Sequence, residues 1–404
     1  MAKSCLVCTG PVVEFLDLGR QPLSDAFPAP GADPAREHFF RLALGRCADC
    51  AMVQLTEVPP AARMFHRGYP YRSSGSTVMR EHFARVAERL LADRVDPFVV
   101  EIGSNDGAFL RTAVERGVRH LGIDPSGDAA RVAAGFGVRV RVAFFAEPLA
   151  RSVLAEHGPA DVVFAANTVS HGPDLGSILR GVAALLAPDG VFVFEDPYLG
   201  AVLANTAFDQ VIDEHVLFFG ARSVLGPLRR AGLELVDVER LPVHGGQIRF
   251  WAAHAGRVPA SPAVAELLAE EEALGVHDPA RLRAFAARTA DRRRALVALL
   301  TRLRAEGARV VGYGATAKSA TVTNYCGLGP DLVSAVIDTT PAKQGRLTPG
   351  THIPVRPPEA FGPGRADYAL LFAWNHAEEI MAKERAFTEA GGRWIRYVPE
   401  VRVV

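Results

Sequence analysis

A chain of 404 residues is long enough to bury two or three separate cores. Lysine plus arginine and aspartate plus glutamate each number 45, and this zero net charge argues against a general affinity for nucleic acid or an anionic membrane. No run of about eighteen apolar residues occurs and the N-terminus lacks a signal peptide's apolar core, so the expected location is the cytoplasm.

Four of the five cysteines form two Cys-x-x-Cys pairs, Cys5/Cys8 and Cys47/Cys50, while Cys326 stands apart. In a reducing compartment two such pairs read as a four-thiolate zinc site before they read as disulfides. A thioredoxin-like redox pair needs a single pair in a βαβ setting, which this segment does not offer. The interval between the pairs exceeds that of a simple zinc ribbon, so a hairpin or loop should separate the two knuckles. Four thiolates leave no open coordination position, which makes this zinc structural. Residues 1–60 are expected to form the zinc-binding module.

An aromatic loop, Met64 to Tyr71, follows Pro59 and Pro60. From Ser76 an amphipathic helix carries His82, Phe83, Val86, Leu90 and Leu91 on one stripe. The run Phe98-Val99-Val100-Glu101-Ile102-Gly103-Ser104-Asn105-Asp106-Gly107 then reads as a buried strand entering a glycine turn, with a helical pattern after it. Glycines at 103 and 107 let backbone N–H groups approach a ligand closely. The spacing is neither the Gly-x-Gly-x-x-Gly of dinucleotide folds nor a phosphate-binding P-loop. It matches the acid-x-Gly-x-x-x-Gly turn of S-adenosylmethionine (SAM) methyltransferases. About twenty residues on, His120-Leu121-Gly122-Ile123-Asp124 reads as a strand ending in an acid, where ribose hydroxyls are held in nucleoside-binding folds. Glu101, Gly103, Ser104, Asn105, Asp106, Gly107, Asp124 and Asn167 are the expected cofactor contacts.

Further strands are expected at Val138–Phe145, Val162–Ala166, Val191–Glu195, Leu233–Arg240 and Ile248–Ala253. Alternating with helices, they predict an α/β, doubly wound, Rossmann-like sheet with an antiparallel edge over residues 61–255. Two helices come next, the longer with Asp278 as N-cap and Pro279 at its first position. They lead to Val310-Val311-Gly312-Tyr313-Gly314, which opens a second Rossmann-like α/β unit over 256–404. That turn suits a phosphate, with Lys318 adding charge, or else is a nucleotide fold kept only for packing. Lys343 lies in another strand-end loop of this unit.

Catalytic groups belong at the C-terminal ends of the central strands. Two clusters stand out, Asn167-Thr168-Val169-Ser170-His171 after a strand and Asp209-Gln210-Val211-Ile212-Asp213-Glu214-His215 in the stretch that often forms a substrate lid, and a carboxylate beside an imidazole suits proton abstraction.

Together these residues resemble the zinc-containing, SAM-dependent C-methyltransferases of nucleotide-linked deoxysugars in antibiotic sugar pathways. The resemblance covers essentially the whole chain: the paired Cys-x-x-Cys, Tyr69–Ser76, Glu101–Gly107, Asn167–His171, Asp213–His215 and Gly312–Lys318. It implies a three-domain layout and a thymidine-diphosphate (dTDP) 4-keto-6-deoxyhexose acceptor methylated beside the ketone, usually at C-3. His215 is then the base, oriented by Glu214, and His171 with Tyr69 or Tyr71 stabilises the enolate or positions the sugar. The enolate carbon attacks the sulfonium methyl in line. Ser73, Ser74, Gly312, Tyr313, Gly314, Lys318 and Lys343 are the expected acceptor contacts. Family members often carry a tyrosine shortly before the Glu-His pair, where this chain has Val211 and Ile212. Another ring carbon (C-5), an O- or N-acceptor, and an inactive zinc and nucleotide-binding module are the alternatives. The expected partner is the sugar nucleotide, with no nucleic acid or membrane, for a monomer or small homo-oligomer.

Overall fold

The computed structural model describes residues 3–66 and 68–404. Three sheets organise them.

The first, five-stranded sheet joins Lys3–Ser4, Pro11–Pro22, Phe39–Cys47, Val53–Leu55 and a distant strand, Leu217–Phe218. The last pairing is antiparallel, Leu217 opposite Gln54 and Phe218 opposite Val53. The long hairpin of Pro11–Pro22 on Phe39–Cys47 fills the interval between the cysteine pairs, as their spacing demands.

The second sheet has seven strands in the order 233–241, 247–254, 186–197, 160–166, 98–102, 119–123 and 140–141. The strands at 98–102, 119–123, 140–141, 160–166 and 186–197 pair in parallel, and the two at 233–254 close the edge antiparallel. Both faces are covered, which is why Phe98–Ile102 is apolar at almost every position and wholly buried. Val99, Val162, Phe164 and Val193 face the helix Thr77–Leu91 through Met79, Phe83, Val86 and Leu90. Val100, Ile102, Val163, Ala165, Phe192 and Phe194 face the other way, toward Ala150, Val153, Leu179 and Val182 of two more helices. One expected strand is much shorter than its apolar pattern: only Val140–Arg141 pairs, and Val142 and Phe144 are exposed. It is the sheet's outermost strand, with a partner on one side only, so nothing holds its continuation.

The third sheet runs 355–356, 336–337, 310–313, 368–371, 393–396 and 402–403, parallel except for the last pair. The helix Pro279–Ala305 leads into it, capped by the Asp278 side chain on the Ala280 N–H as expected, with Leu282, Phe285, Leu296, Leu300 and Leu303 buried. Arg293 and Arg294 on its opposite face are solvated. Among the described residues no helix is long and apolar enough to cross a membrane.

Candidate functional site

The zinc ligands come together from two turns. Cys5 and Cys8 sit between the first two strands, and Cys47 and Cys50 at the turn leaving Phe39–Cys47. Their four sulfurs all lie within 4.8 Å of one another, with Cys5 to Cys50 at 3.7 Å and Cys8 to Cys47 at 3.4 Å. A tetrahedron with zinc–sulfur bonds of ~2.3 Å has edges of about 3.8 Å, so these residues fit the ion. Backbone N–H groups of Val7 and Cys50 point at the Cys5 and Cys47 sulfurs (3.3 and 3.5 Å), as in a metal knuckle.

The first glycine turn is a backbone cradle. Gly103 and Gly107 have φ of 74° and 79°, and a Cβ on Gly103 would overlap the Thr168 side chain. Asp124, at the end of the neighbouring strand, braces the turn: its two oxygens accept the N–H groups of Asn105 (2.9 Å) and Ser126 (2.7 Å). Beneath it lies Glu101, buried, with Oε2 unpartnered among the described residues. Burial, and then the carboxylates of Asp124 and Asp106, hold its carboxyl well above the usual range. An orphaned buried oxygen under an open glycine cradle is what a ligand with polar hydrogens completes, so the residues fit the expected methyl donor.

Other expected contacts at this turn are redirected. The Ser104 side chain turns down toward Gly122, inside the sheet. Asn105 Oδ1 accepts the Ser73 N–H (3.1 Å), and Asp106 accepts both the Ser74 hydroxyl (2.5 Å) and its N–H. Ser73 and Ser74, expected at the acceptor, therefore lie against the donor turn. Asn167, with φ of 49°, accepts from the Gln247 amide and donates its N–H to Glu195 O at 2.7 Å.

The second cluster is the buried loop after Phe208–Gln210. His215 Nδ1 lies 2.8 Å from the Gln210 carbonyl. A carbonyl only accepts, so Nδ1 carries the proton and Nε2 keeps a free lone pair. Burial, then the charge on Lys318, pulls the His215 pKa down to about 4 against the opposing effect of that carbonyl. His171 stacks on His215 (centroids 5.5 Å apart) and on Phe65 (5.2 Å). Burial and the His215 ring keep it well below the usual imidazole value. Both rings are thus neutral near pH 7.

Glu214 does not orient His215, contrary to expectation. Its side chain points away, to accept the Tyr69 hydroxyl at 2.9 Å. Burial, then Asp25 and Asp213, push Glu214 well above the usual carboxylate range, and burial with Glu214 raises Tyr69. Tyr71 is a neighbour of Tyr69 at 6.4 Å, but its backbone carbonyl accepts from Asn105 Nδ2 (3.3 Å), tying it to the donor turn.

The two ends of the chain hold this loop between them. Asp209 Oδ2 accepts from Trp374 Nε1 (2.6 Å) and the Tyr397 hydroxyl (2.8 Å), and the Thr321 hydroxyl donates to Val211 O (2.9 Å). From the N-terminal side, Ser24 N–H donates to Asp213 Oδ2 (3.2 Å) and Leu55 N–H to Val216 O (2.9 Å). Val211 and Ile212, where the family often has tyrosine, are core side chains. Asp209 and Gln210 lie inside the stretch Asp209–His215 that stands out in the sequence, but nothing in the sequence assigns either a role.

The second glycine turn mostly departs from its expected phosphate role. A Cβ on Gly312 would meet Phe372 at 2.5 Å, so that glycine serves packing. Tyr313 is core, with its hydroxyl on Glu384 (2.7 Å) and its ring against Phe361 and Trp394. After Gly314 (φ 93°), the Ala315 N–H is already taken by Asp338 Oδ2 at 2.6 Å. Lys343 pairs with Asp25 (3.0 Å) and donates to Ala315 O. Lys318 alone of these residues acts on His215.

Comparison with known proteins bears on the whole chain. Residues 5–65 match the model of a zinc binding domain, 74–238 that of a methyltransferase domain, and 242–399 that of a C-methyltransferase C-terminal domain. The C-methyltransferase NovU of Streptomyces niveus is 36% identical over 398 residues, covering 97% of this chain and 94% of NovU. The chain belongs to the zinc-containing, SAM-dependent C-methyltransferase family. A ubiquinone biosynthesis O-methyltransferase of Ralstonia nicotianae is 30% identical over 168 residues, covering 39% of this chain and 71% of that protein. A SAM-dependent methyltransferase structure from Archaeoglobus fulgidus covers 43% of this chain and 93% of its own, at 15% identity and a TM-score of 0.37.

The C-methyltransferase thus uses SAM and a structural zinc on a small-molecule acceptor, and the cradle at Gly103 offers a direct test. Gly103→Ala forces a side chain into left-handed backbone at about 1–2 kcal/mol and drives a Cβ into Thr168. Calorimetry is expected to give SAM affinity lower by about tenfold or more, together with a lower melting temperature.

Proposed function

We propose that this C-methyltransferase acts on a dTDP-4-keto-6-deoxyhexose and methylates the carbon beside the ketone, usually C-3, through an enolate. The observation that carries the reading is the His215 tautomer: Nδ1–H on the Gln210 carbonyl leaves Nε2 as a free, neutral base. A hydrogen α to a ketone is the kind of proton such a base removes when the enolate oxygen is stabilised. Tyr69 and Glu214 share one hydrogen bond, and Tyr69 packs on Phe65, which stacks on His171 next to the base; burial favours the neutral form of both, so the pair would offer a proton to a developing oxyanion. His171, stacked on His215, walls the base off from water and fixes the plane of its ring. SAM supplies a methyl group on positively charged sulfur, and Glu101, Gly103–Gly107 and Asp124 are the residues that would hold it. The acceptor would lie between the units 61–255 and 256–404, with the zinc module of 1–60 bracing the loop of the base.

The test is proton exchange without methyl transfer. In deuterium oxide, with no SAM, the enzyme is expected to exchange the α-hydrogen of a 4-keto sugar nucleotide, and with SAM to give a product carrying a new C–methyl bond by mass spectrometry. A product methylated on oxygen or nitrogen, with no exchange, would overturn the enolate reading.

A further inference from the structure

Lys318 is a half-buried cation short of a counter-charge. Its ammonium donates to the neutral Asn375 Oδ1 at 3.2 Å and lies 5.0 Å from the Trp374 ring. Among the described residues no carboxylate sits within ion-pair distance of it. Lys343, by contrast, has Asp25. Asp209 is the acid that acts on Lys318, yet its Oδ2 already accepts two hydrogen bonds from Trp374 and Tyr397.

Two histidines face the same space. His244 sits in the short turn Val243–Gly245, with a φ of 52° that a non-glycine residue rarely adopts. The turn is held there from both sides: Gln210 Nε2 donates to His244 O at 2.6 Å, and Gly245 lies so close to the Trp374 ring that a Cβ would overlap it. His244 Nε2 is buried without a partner among the described residues. The His376 ring is 6.2 Å from that of His244, and Glu379 lies on its Nδ1 side at 3.8 Å. Burial and the Lys318 charge keep both rings below the usual imidazole value. The segments at 243–245 and 374–376, with Lys318 of the helix Ala317–Cys326, thus gather one ammonium, two imidazoles and an amide near His215.

We propose that Lys318, His244, His376 and Asn375 seat the diphosphate of the acceptor, in place of the glycine turn whose N–H is taken by Asp338. The inference rests on the reading of the acceptor as a nucleotide-linked sugar. A half-buried cation with no ion pair and an orphaned, buried His244 Nε2 are costly unless an anion completes them. A diphosphate supplies that charge as acceptor oxygens, and lysine binds it as a point charge. From there the attached sugar reaches toward His215.

Titration calorimetry with thymidine diphosphate and with inorganic pyrophosphate, on the full zinc-loaded chain, tests the seat. Lys318→Met is expected to weaken both ligands by about tenfold or more. His244→Asn, whose asparagine tolerates positive φ, should weaken them in the same sense. SAM affinity, unchanged in both variants, reports that they are folded. If thymidine diphosphate binds wild type and both variants equally, the diphosphate lies elsewhere and the seat is overturned, while the nucleotide-linked acceptor stands. If neither ligand binds wild type, the acceptor reading falls and the seat with it.

Discussion

His215→Asn is expected to lower kcat/KM for methyl transfer by about 10²- to 10⁴-fold, the usual worth of a positioned general base, and to abolish α-hydrogen exchange, while SAM binding survives. The reason is specific to Nε2. The Gln210 carbonyl fixes the proton on Nδ1, and asparagine keeps that donor but has no basic lone pair to offer. Glu214→Gln should also cut turnover strongly. Its amide still accepts the Tyr69 hydroxyl, so the fold is preserved, but an amide N–H is a far weaker acid than a carboxyl O–H and cannot share its proton with a developing oxyanion. Because Tyr69 and Glu214 form one unit, Tyr69→Phe combined with Glu214→Gln should cost little more than either alone. The pH profile gives an independent check. His215 must be neutral to act, so kcat/KM stays level as pH falls through the ordinary imidazole value of about 6.5 and drops only on approaching about 4. An acid limb at about 6.5 in kcat/KM, or unchanged turnover in both single variants, would remove His215 as the base.

Loss of zinc is expected to stop methyl transfer although no ligand of the ion touches the reaction. In small zinc domains metal binding carries on the order of 10 kcal/mol of folding free energy, so chelation or Cys47→Ser should unfold the two knuckles. The sheet they anchor reaches the base directly: Val53–Leu55 pairs with Leu217–Phe218, and the Leu55 N–H holds Val216 O beside His215. The donor turn at Gly103–Gly107 stands on the other sheet. Zinc removal should therefore lower methyl transfer far more than SAM affinity, measured by calorimetry on the same sample. Parallel loss of both would mean that the central sheet itself depends on the ion.

Much of the fold was legible because it rests on local pattern. Apolar runs bounded by glycine turns marked the central strands, and paired Cys-x-x-Cys marked the knuckles. The site was legible as motifs and less so as partners. Adjacent in sequence, Glu214 and His215 looked like a pair, yet the chain turns at Asp213–Glu214, with the His215 N–H on Ile212 O, so Glu214 meets Tyr69 while His215 turns to a backbone carbonyl. Carbonyl direction carries no sequence signature, which is why Gln210, though inside the marked stretch, received no role. Ser73 and Ser74 were misplaced for a similar reason: their docking on Asn105 and Asp106 depends on how the aromatic loop folds back over the turn. Tyr313 looked like a ligand because it sits between two glycines, but strand alternation sends its ring into the C-terminal core.

The loop around Asp209 has a practical consequence for recombining this enzyme with its relatives. Exchanging the portion after residue 255 to change acceptor choice would leave Asp209 in one parent and its partners Trp374 and Tyr397 in the other, and would part Val211 from Thr321. A chimaera that carries residues 208–216 along with its C-terminal half keeps those contacts, but it parts Asp213 from Ser24 and Val216 from Leu55 unless the N-terminal sheet travels too. The smallest exchangeable piece is therefore discontinuous, made of the two ends of the chain and the short loop between them.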